Sequence, residues 1–224
     1  MLLRFISTIV LAPIAIAAIW FGRPYFDVMV LLVGVLAIVE WFRVSRTRQN
    51  HNTVADRLAW PVIGVLYIGL SSFCLVIMRA DPVRGLGLVL AFFAVIWATD
   101  IGAYLVGRTL GGPKLAPAIS PNKTWSGAFG GLLCGSIAGF AVARAMDLPH
   151  ATVIVILMGG VISVVSQIGD LFESWWKRHF GVKDSGNLIP GHGGILDRID
   201  GVLLASPVAY ASHWVAQGGG LPWK

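Results

Sequence analysis

The sequence predicts an all-α polytopic membrane protein with about seven transmembrane helices and a cytoplasmic N-terminus. Of its 224 residues, 56% are hydrophobic and only 12% are charged, and the mean hydropathy is +0.77. Apolar runs recur along the chain at roughly the 20 residues that a helix needs to span a bilayer. Seven such helices occupy most of the length, so residues 1–224 are expected to form a single integral membrane domain.

Six apolar stretches mark the stronger candidate helices. They are Phe5–Gly22, Leu58–Met78, Gly85–Thr99, Trp125–Ala143, Ala151–Gly169 and Gly201–Trp223. Five of them reach spanning length alone. The third does so only if it continues through Asp100 to about Gly107, which places a carboxylate within the membrane.

Two stretches leave alternatives open. Phe26–Val44 is a weaker seventh span because Asp27 and Glu40 bracket its apolar centre. The first run follows Arg4 and could instead be a signal peptide. Its continuation through Trp20 favours a spanning helix.

The basic residues support this topology. With the N-terminus in the cytoplasm, twelve of the 17 Lys and Arg residues fall on the cytoplasmic side and five on the other, as the positive-inside rule predicts. The longest loops, Arg108–Thr124 and Glu173–Asp200, then share the cytoplasmic face. The net charge of +6 is therefore interpreted as the excess of Lys and Arg that marks the cytoplasmic side of a membrane protein. The sequence contains no motif of aromatic and basic residues that would indicate a nucleic-acid partner. Cys74 and Cys134 both lie in apolar runs, which argues against a disulfide.

Two carboxylates lie where charge is costly. Asp100 precedes Arg108 by eight residues and Asp170 precedes Lys177 by seven, so each lies roughly 10–12 Å below the cytoplasmic helix edge at about 1.5 Å per residue. Ionisable groups at such depth are candidates for function. Separate structural carboxylates, or the ion path of a transporter, remain alternatives.

The second long loop combines cations, glycines and carboxylates. Lys177, Arg178 and Lys183 precede Gly191–Gly194 and then Asp197 and Asp200. If the last helix begins near Asp197, the two aspartates project from one face of its first turn. Such a pair beside phosphate-binding cations is typical of Mg²⁺ shared with a nucleotide, and glycines let backbone N–H groups approach anions. If the two aspartates are considered without the neighbouring cations and glycines, an alternative explanation is that negative charge is favourable at a helix N-terminus.

A second constellation precedes the fifth apolar run. Ser120, Lys123 and Thr124 surround Pro121 just before Trp125. Hydroxyls, a lysine and a helix N-terminus are all suited to phosphate. An N-cap with a lysine at the membrane edge explains the same residues.

These motifs resemble a known family. The run from Ser174 to Asp200, with Lys177-Arg178, Lys183-Asp184, His192-Gly193-Gly194 and Asp197-Arg198-Ile199-Asp200, resembles the signature of the phosphatidate cytidylyltransferases, except at Trp176, where an aliphatic residue or Phe is usual. The segment from Asp100 to Trp125 is similar to the preceding part of that family, with Ser126 in place of a frequent acidic residue. The resemblance covers about residues 100–200 and implies a catalytic region there, between N-terminal helices at 1–99 and a last helix at 201–224.

The family implies an inner-membrane enzyme, facing the cytoplasm, that converts CTP and phosphatidate to CDP-diacylglycerol and pyrophosphate. It also implies Mg²⁺, a monovalent cation such as K⁺, and a homodimer. Because the attacking lipid phosphate is already an anion, catalysis should rest on positioning and charge neutralisation without a general base.

The roles expected under this mechanism follow from residue chemistry. Asp170, Asp197 and Asp200 are expected to hold the metal, with Asp100 as a further candidate, and Lys183 is expected to act with them in catalysis. The residues expected to bind substrate are Ser120, Lys123, Thr124, Lys177, Arg178, His192, Gly193, Gly194 and Arg198. His192 is interpreted as a phosphate donor in preference to a base, and the predicted cavity is lined by Asp100, Asp170, Asp197 and Asp200.

Trp125, Trp175 and Trp176 are expected at the membrane interface. Two other functions stay open, and a third is disfavoured. A CDP-alcohol phosphatidyltransferase would carry an Asp-Gly-x-x-Ala-Arg run, which is absent. A synthase of the CDP-archaeol type has the same headgroup chemistry, and an ion-coupled transporter would need only Asp100 and Asp170.

Overall fold

The computed structural model describes residues 2–47, 54–148, 152–188 and 193–216. Over these residues the chain forms seven α-helices and one two-stranded hairpin. In chain order they are α1 Leu2–Phe21, α2 Tyr25–Ser45, α3 Val54–Ala80, α4 Gly85–Leu110, β1 Lys114–Ala116, β2 Ser120–Thr124, α5 Trp125–Ala145, α6 Thr152–His179 and α7 Leu196–Ala216.

Successive helices run up and down, because several connections are too short for anything but an antiparallel turn. Only three residues separate α1 from α2, and four separate α3 from α4. Arg79 Nε donates to the Ile19 carbonyl at 2.8 Å, which ties the ends of α3 and α1 together. At the opposite end, Thr47 Oγ1 donates to the Phe180 carbonyl at 3.3 Å. The start of α5 and the end of α6 lie at this second end, so the prediction that both motif-bearing loops share one face is confirmed.

The helix surfaces are suited to lipid. Within the described residues, five helical segments are long and apolar enough to cross a membrane, namely Tyr25–Ser45, Leu58–Ala80, Gly85–Leu110, Trp125–Ala145 and Thr152–His179. Large side chains on them, such as Leu31, Leu66, Ile101 and Phe129, are exposed. Exposed apolar surface of this extent requires an apolar environment. The weaker span in the sequence, Phe26–Val44, is therefore a full apolar helix.

Helices α4 and α5 pack closely through glycine. An ideal Cβ at Gly127 would lie 2.7 Å from the Ala103 carbonyl oxygen, and one at Gly131 would lie 2.8 Å from the Thr99 carbonyl oxygen. Both distances are shorter than a side chain tolerates, so only glycine permits this approach. Small residues are the usual means of bringing membrane helices together. The contact fixes Asp100 on α4 relative to the start of α5.

Two features differ from the sequence prediction. The first long loop contains an antiparallel hairpin, in which Lys114 pairs with Thr124 and Ala116 with Ser120, so the fold is not purely helical. The second loop is shorter than predicted, because α6 continues to His179. Glu173 and Lys177, predicted to be in a loop, are helical and buried.

An aromatic cluster supports the half of α6 that lies nearest the motif-bearing loops. Trp176 is fully buried and stacks on Trp41 of α2 with ring centroids 4.0 Å apart. Trp41 Nε1 in turn donates to the Trp60 carbonyl at 2.7 Å. The expected interfacial position of Trp176 is therefore wrong, since its ring fills the core between α2 and α6. Trp125 and Trp175 are exposed, and their position at the membrane interface stays a prediction. Cys74 and Cys134 are free thiols.

Candidate active site

Three carboxylates from three helices converge near the end of the bundle that carries the motifs. Asp100 lies on α4, Asp170 on α6 and Asp200 on α7. Asp100 and Asp200 each interact electrostatically with Asp170 and with Lys123. The Lys123 ammonium forms an ion pair with Asp170 Oδ2. Among the described residues, the Lys123 ammonium is thus the cation that all three of these acids face.

A cavity of about 740 Å³ opens beside this cluster. Its volume is within the usual range for small-molecule sites, about 300–1,000 Å³. Asp100, Lys123 and Asp170 line it together with Arg108 and Gln167. The expectation that Asp100 and Asp170 share a depth agrees with this geometry. Asp197 and Asp200, also expected to line the cavity, lie outside its lining.

The hairpin and the start of α5 hold Lys123 in place. Thr124 is the N-cap of α5, and its Oγ1 accepts a hydrogen bond from Gly127 N at 3.1 Å. Ser126 Oγ donates to the Gly111 carbonyl, where α4 ends in glycines with φ of +61° and +104°. In the family that the sequence resembles, an acidic residue is frequent at position 126. The shorter side chain of Ser126 can instead join this turn. Thr124 therefore has a structural role in addition to its position on the cavity wall.

A second charged cluster lies between α6 and α7. Lys177 Nζ is 2.6 Å from Asp197 Oδ1 and 3.5 Å from Glu173 Oε1. The three side chains are almost buried, with exposed fractions of 11%, 10% and 3%. Glu173 also interacts electrostatically with Asp200. It therefore connects the two clusters.

Asp197 organises the loop before α7. Its Oδ2 accepts hydrogen bonds from Ser185 N at 3.1 Å and Gly194 N at 2.9 Å, while Oδ1 accepts from Lys177. The aspartate pair predicted to share one metal ion is thus divided. Asp200 faces the first cluster, and Asp197 is occupied by a lysine and two backbone N–H groups. Lys177 is likewise paired inside the protein, whereas it was predicted to bind substrate.

Glu173 is a buried charged residue that the sequence reasoning missed. It lies three residues after Asp170 and four before Lys177, a spacing that would place all three on one helical face. The signal was available, because the helix was already expected to reach Lys177, but Glu173 was assigned to the loop.

The remaining predicted residues surround the loop end of the bundle. Arg178, Lys183 and Arg198 are exposed, and Arg178 Nη1 donates to the Val182 carbonyl at 2.9 Å. Ser120 begins β2. Gly193 has a φ of +85°, which suits glycine alone, and precedes the Gly194 N–H that binds Asp197. His192 lies outside the described residues.

The donor chemistry of the first cluster fits a hard divalent cation. Carboxylate oxygens are the ligands that Mg²⁺ prefers, and three aspartates face the one ammonium of Lys123, while Arg108 and Lys114 also line the cavity. Among the residues that the structure describes, however, no three His, Cys, Asp or Glu side chains stand close enough to hold a metal as they are. Lys123 occupies one oxygen of Asp170, so this ammonium must move before a cation can bind there.

Comparison with known proteins identifies the family. The model of the cytidylyltransferase family matches residues 47–216. The chain belongs to this family. Its relatives include proteins named phosphatidate cytidylyltransferase from Brucella suis, 39% identical over 92% of this chain and 91% of the relative, and from Rickettsia bellii, 35% identical over 93% and 88%. A Staphylococcus epidermidis protein of the same name is 43% identical over 67% of this chain and 56% of the relative.

The matched region contains both charged clusters and the cavity. Asp100, Lys123, Asp170 and Asp200 all lie between residues 47 and 216. Together with the apolar helices, the family places these residues in an integral membrane protein. Helix α2, with Trp41 and Glu40, precedes the matched region.

Proposed function

We propose that this protein transfers the cytidylyl group of CTP to phosphatidate, giving CDP-diacylglycerol and pyrophosphate. The observation that carries the proposal is the convergence of Asp100, Asp170 and Asp200 around Lys123 beside a cavity of about 740 Å³. Family membership and the names of the relatives agree with it.

In this reaction a phosphate oxygen of phosphatidate forms a bond to the α-phosphorus of CTP. The bond from that phosphorus to the oxygen bridging to the β-phosphate breaks, and pyrophosphate leaves with the electron pair. The nucleophile is already ionised, so no side chain has to remove a proton. The protein's contribution is therefore to align two anions and reduce their repulsion.

Mg²⁺ is part of the proposal, and Asp100, Asp170 and Asp200 are the residues that would hold it. When bound, such an ion supplies positive charge to the phosphates and the leaving group. A monovalent cation such as K⁺ is proposed beside it. Asp197 is a weaker candidate ligand, because its oxygens already accept hydrogen bonds from Lys177, Ser185 and Gly194.

Lys123 is proposed to exchange partners during the cycle. Its ammonium pairs with Asp170 and faces the cavity. A cation held by Asp100, Asp170 and Asp200 would supply the positive charge that the lysine now provides, and Lys123 would then be able to pair with a substrate phosphate. The exposed Arg178, Lys183 and Arg198, with His192, are proposed to attract the triphosphate from solution.

We further propose seven spans in the cytoplasmic membrane, with the N-terminus and the cavity facing the cytoplasm, and a homodimer. Phosphatidate would enter from the leaflet and CTP from solution. Single cysteines at Arg46 and Asp184, in a chain without Cys74 and Cys134, should be labelled only from the cytoplasmic side. Labelling of either from the opposite side would contradict the topology. Light scattering of the detergent complex would test the dimer.

The activity test is direct. Purified protein with radiolabelled CTP, phosphatidate and Mg²⁺ should yield a lipid-extractable labelled product and stoichiometric pyrophosphate. An isoprenoid ether lipid phosphate, offered in parallel, should give less product. Absence of product with every lipid would refute the proposal, and preference for the ether lipid would change the acceptor.

A further inference from the structure

Helix α2 contributes a fully buried carboxylate, Glu40, to the connection between α6 and α7. Its side chain is 0% exposed. Oε2 accepts a hydrogen bond from Leu196 N at 2.9 Å and another from Ser185 Oγ at 3.1 Å. Leu196 is the first residue of α7, and Ser185 lies in the loop after α6. One carboxylate of α2 therefore binds both sides of the connection between α6 and α7.

The backbone of the loop closes tightly on this carboxylate. An ideal Cβ at Gly186 would lie 2.6 Å from Glu40 Oε1, and one at Gly194 would lie 2.5 Å from Oε2. Glycine at both positions lets the chain pass this close. Burial of a carboxylate is costly unless it is hydrogen-bonded, so the arrangement is favourable only while Leu196 and Ser185 remain in place.

The carboxylate of Glu40 also lies at the N-terminus of α7. The first backbone N–H groups of a helix lack partners within it, and a negative charge there is favourable. Glu40 satisfies the N–H of Leu196 from another helix. Asp197 accepts hydrogen bonds from Ser185 N and Gly194 N, so two carboxylates bind the same loop.

We propose that Glu40 is a positioning residue for the transfer reaction. It holds the first turn of α7, and thereby Asp200, in register with Asp100 and Asp170. The inference rests on the proposed function. Glu40 touches no cavity-lining residue in its hydrogen bonds, so its effect on the reaction passes through Leu196 and the first turn of α7.

The test compares Glu40→Ala and Glu40→Gln with Ser71→Ala. Ser71 Oγ and Ser206 Oγ form a buried hydrogen bond of 2.7 Å between α3 and the middle of α7, so Ser71→Ala removes a buried polar contact to α7 far from the loop. Alanine at 40 leaves the Leu196 N–H without an acceptor. Glutamine keeps one carbonyl oxygen for it.

Two measurements separate positioning from general stability. In Glu40→Ala, kcat should fall at least tenfold while the KM for CTP changes less than threefold, because a small misplacement of reacting groups is costly. Glu40→Gln should stay within threefold of wild type, and so should Ser71→Ala. Limited trypsin cleavage after the exposed Lys183, two residues before Ser185, should rise at least fivefold in Glu40→Ala and not in Ser71→Ala.

Several outcomes would overturn the inference. Glu40→Ala with kcat within twofold of wild type would do so, and so would equal losses of kcat in Glu40→Ala and Ser71→Ala. An inactive Glu40→Gln with normal trypsin resistance would mean that the charge acts directly in the reaction. If Glu40→Ala does not fold, Ser185→Ala is used, and unchanged cleavage after Lys183 together with unchanged kcat would refute the proposal. Inactive wild-type protein would instead count against the proposed function.

Discussion

Replacing Asp197 by asparagine should lower the stability of the protein, whereas replacing Asp200 by asparagine should abolish activity without lowering stability. Asp197 pairs with Lys177 at 2.6 Å, and both side chains are about nine-tenths buried. Removing one member of a buried pair costs roughly 3–5 kcal/mol. Asparagine keeps one oxygen for Ser185 N or Gly194 N, so we expect Asp197→Asn to lose about 3 kcal/mol.

Asp200 is in a different situation. It accepts a hydrogen bond from Gly201 N at 2.7 Å and faces the negative charges of Asp170 and Asp100. Asparagine at this position removes a repulsive charge, so the folded state should be unchanged in stability or slightly more stable. Turnover should be lost, because the proposed metal site loses a ligand.

Thermal unfolding of the detergent-solubilised variants measures the first effect. For a chain of 150–250 residues, about 2–4 °C of Tm corresponds to 1 kcal/mol, so Asp197→Asn should melt about 6–12 °C below wild type. The double variant Lys177→Met with Asp197→Asn should lose less than the sum of the single variants, since they share one contact. The reasoning fails if Asp197→Asn melts within about 2 °C of wild type, or if Asp200→Asn keeps full activity.

The other predictions concern the cavity and the helix contact beside it. Lys123→Met should reduce kcat/KM about a hundredfold. It should also lower the Mg²⁺ concentration needed for half-maximal binding in calorimetry, because Asp170 loses its competing ammonium, and weaker Mg²⁺ binding would contradict this. Gly127→Ala should destabilise the protein by about 1–3 kcal/mol through overpacking against the Ala103 carbonyl, whereas Gly69→Ala, whose Cβ would meet nothing within 4 Å, should not lower the Tm. Chelation of Mg²⁺ should abolish turnover reversibly and leave circular dichroism unchanged, and irreversible loss of helix signal would assign the ion a structural role.

The spacing of charged residues along the chain was enough to predict several features of the site. Asp100 and Asp170 were expected at a common depth because each lies seven or eight residues before a basic helix end, and they line one cavity. The proximity of Lys123 to that cavity followed from the family resemblance and from its place before α5. These inferences needed only the helical rise and the burial cost of charge.

The division of labour between Asp197 and Asp200 could not be predicted in this way. Residues three apart on a helix are neighbours, but their directions differ by about 60°, so each can face a different partner. Asp197 meets Lys177 and the loop, while Asp200 meets Asp170. Which partner lies in each direction depends on how α6 and α7 pack.

The amino-acid sequence determined the membrane class, the helical segments and the family, because hydrophobic length, charge placement and motif spacing are local properties. Only the tertiary structure decided that Glu40, 156 residues before Leu196 along the chain, binds its N–H, and that Lys123 pairs with Asp170. Contacts of this kind depend on the packing of distant helices, since no periodicity within a single helix records which side chain a neighbouring helix will present.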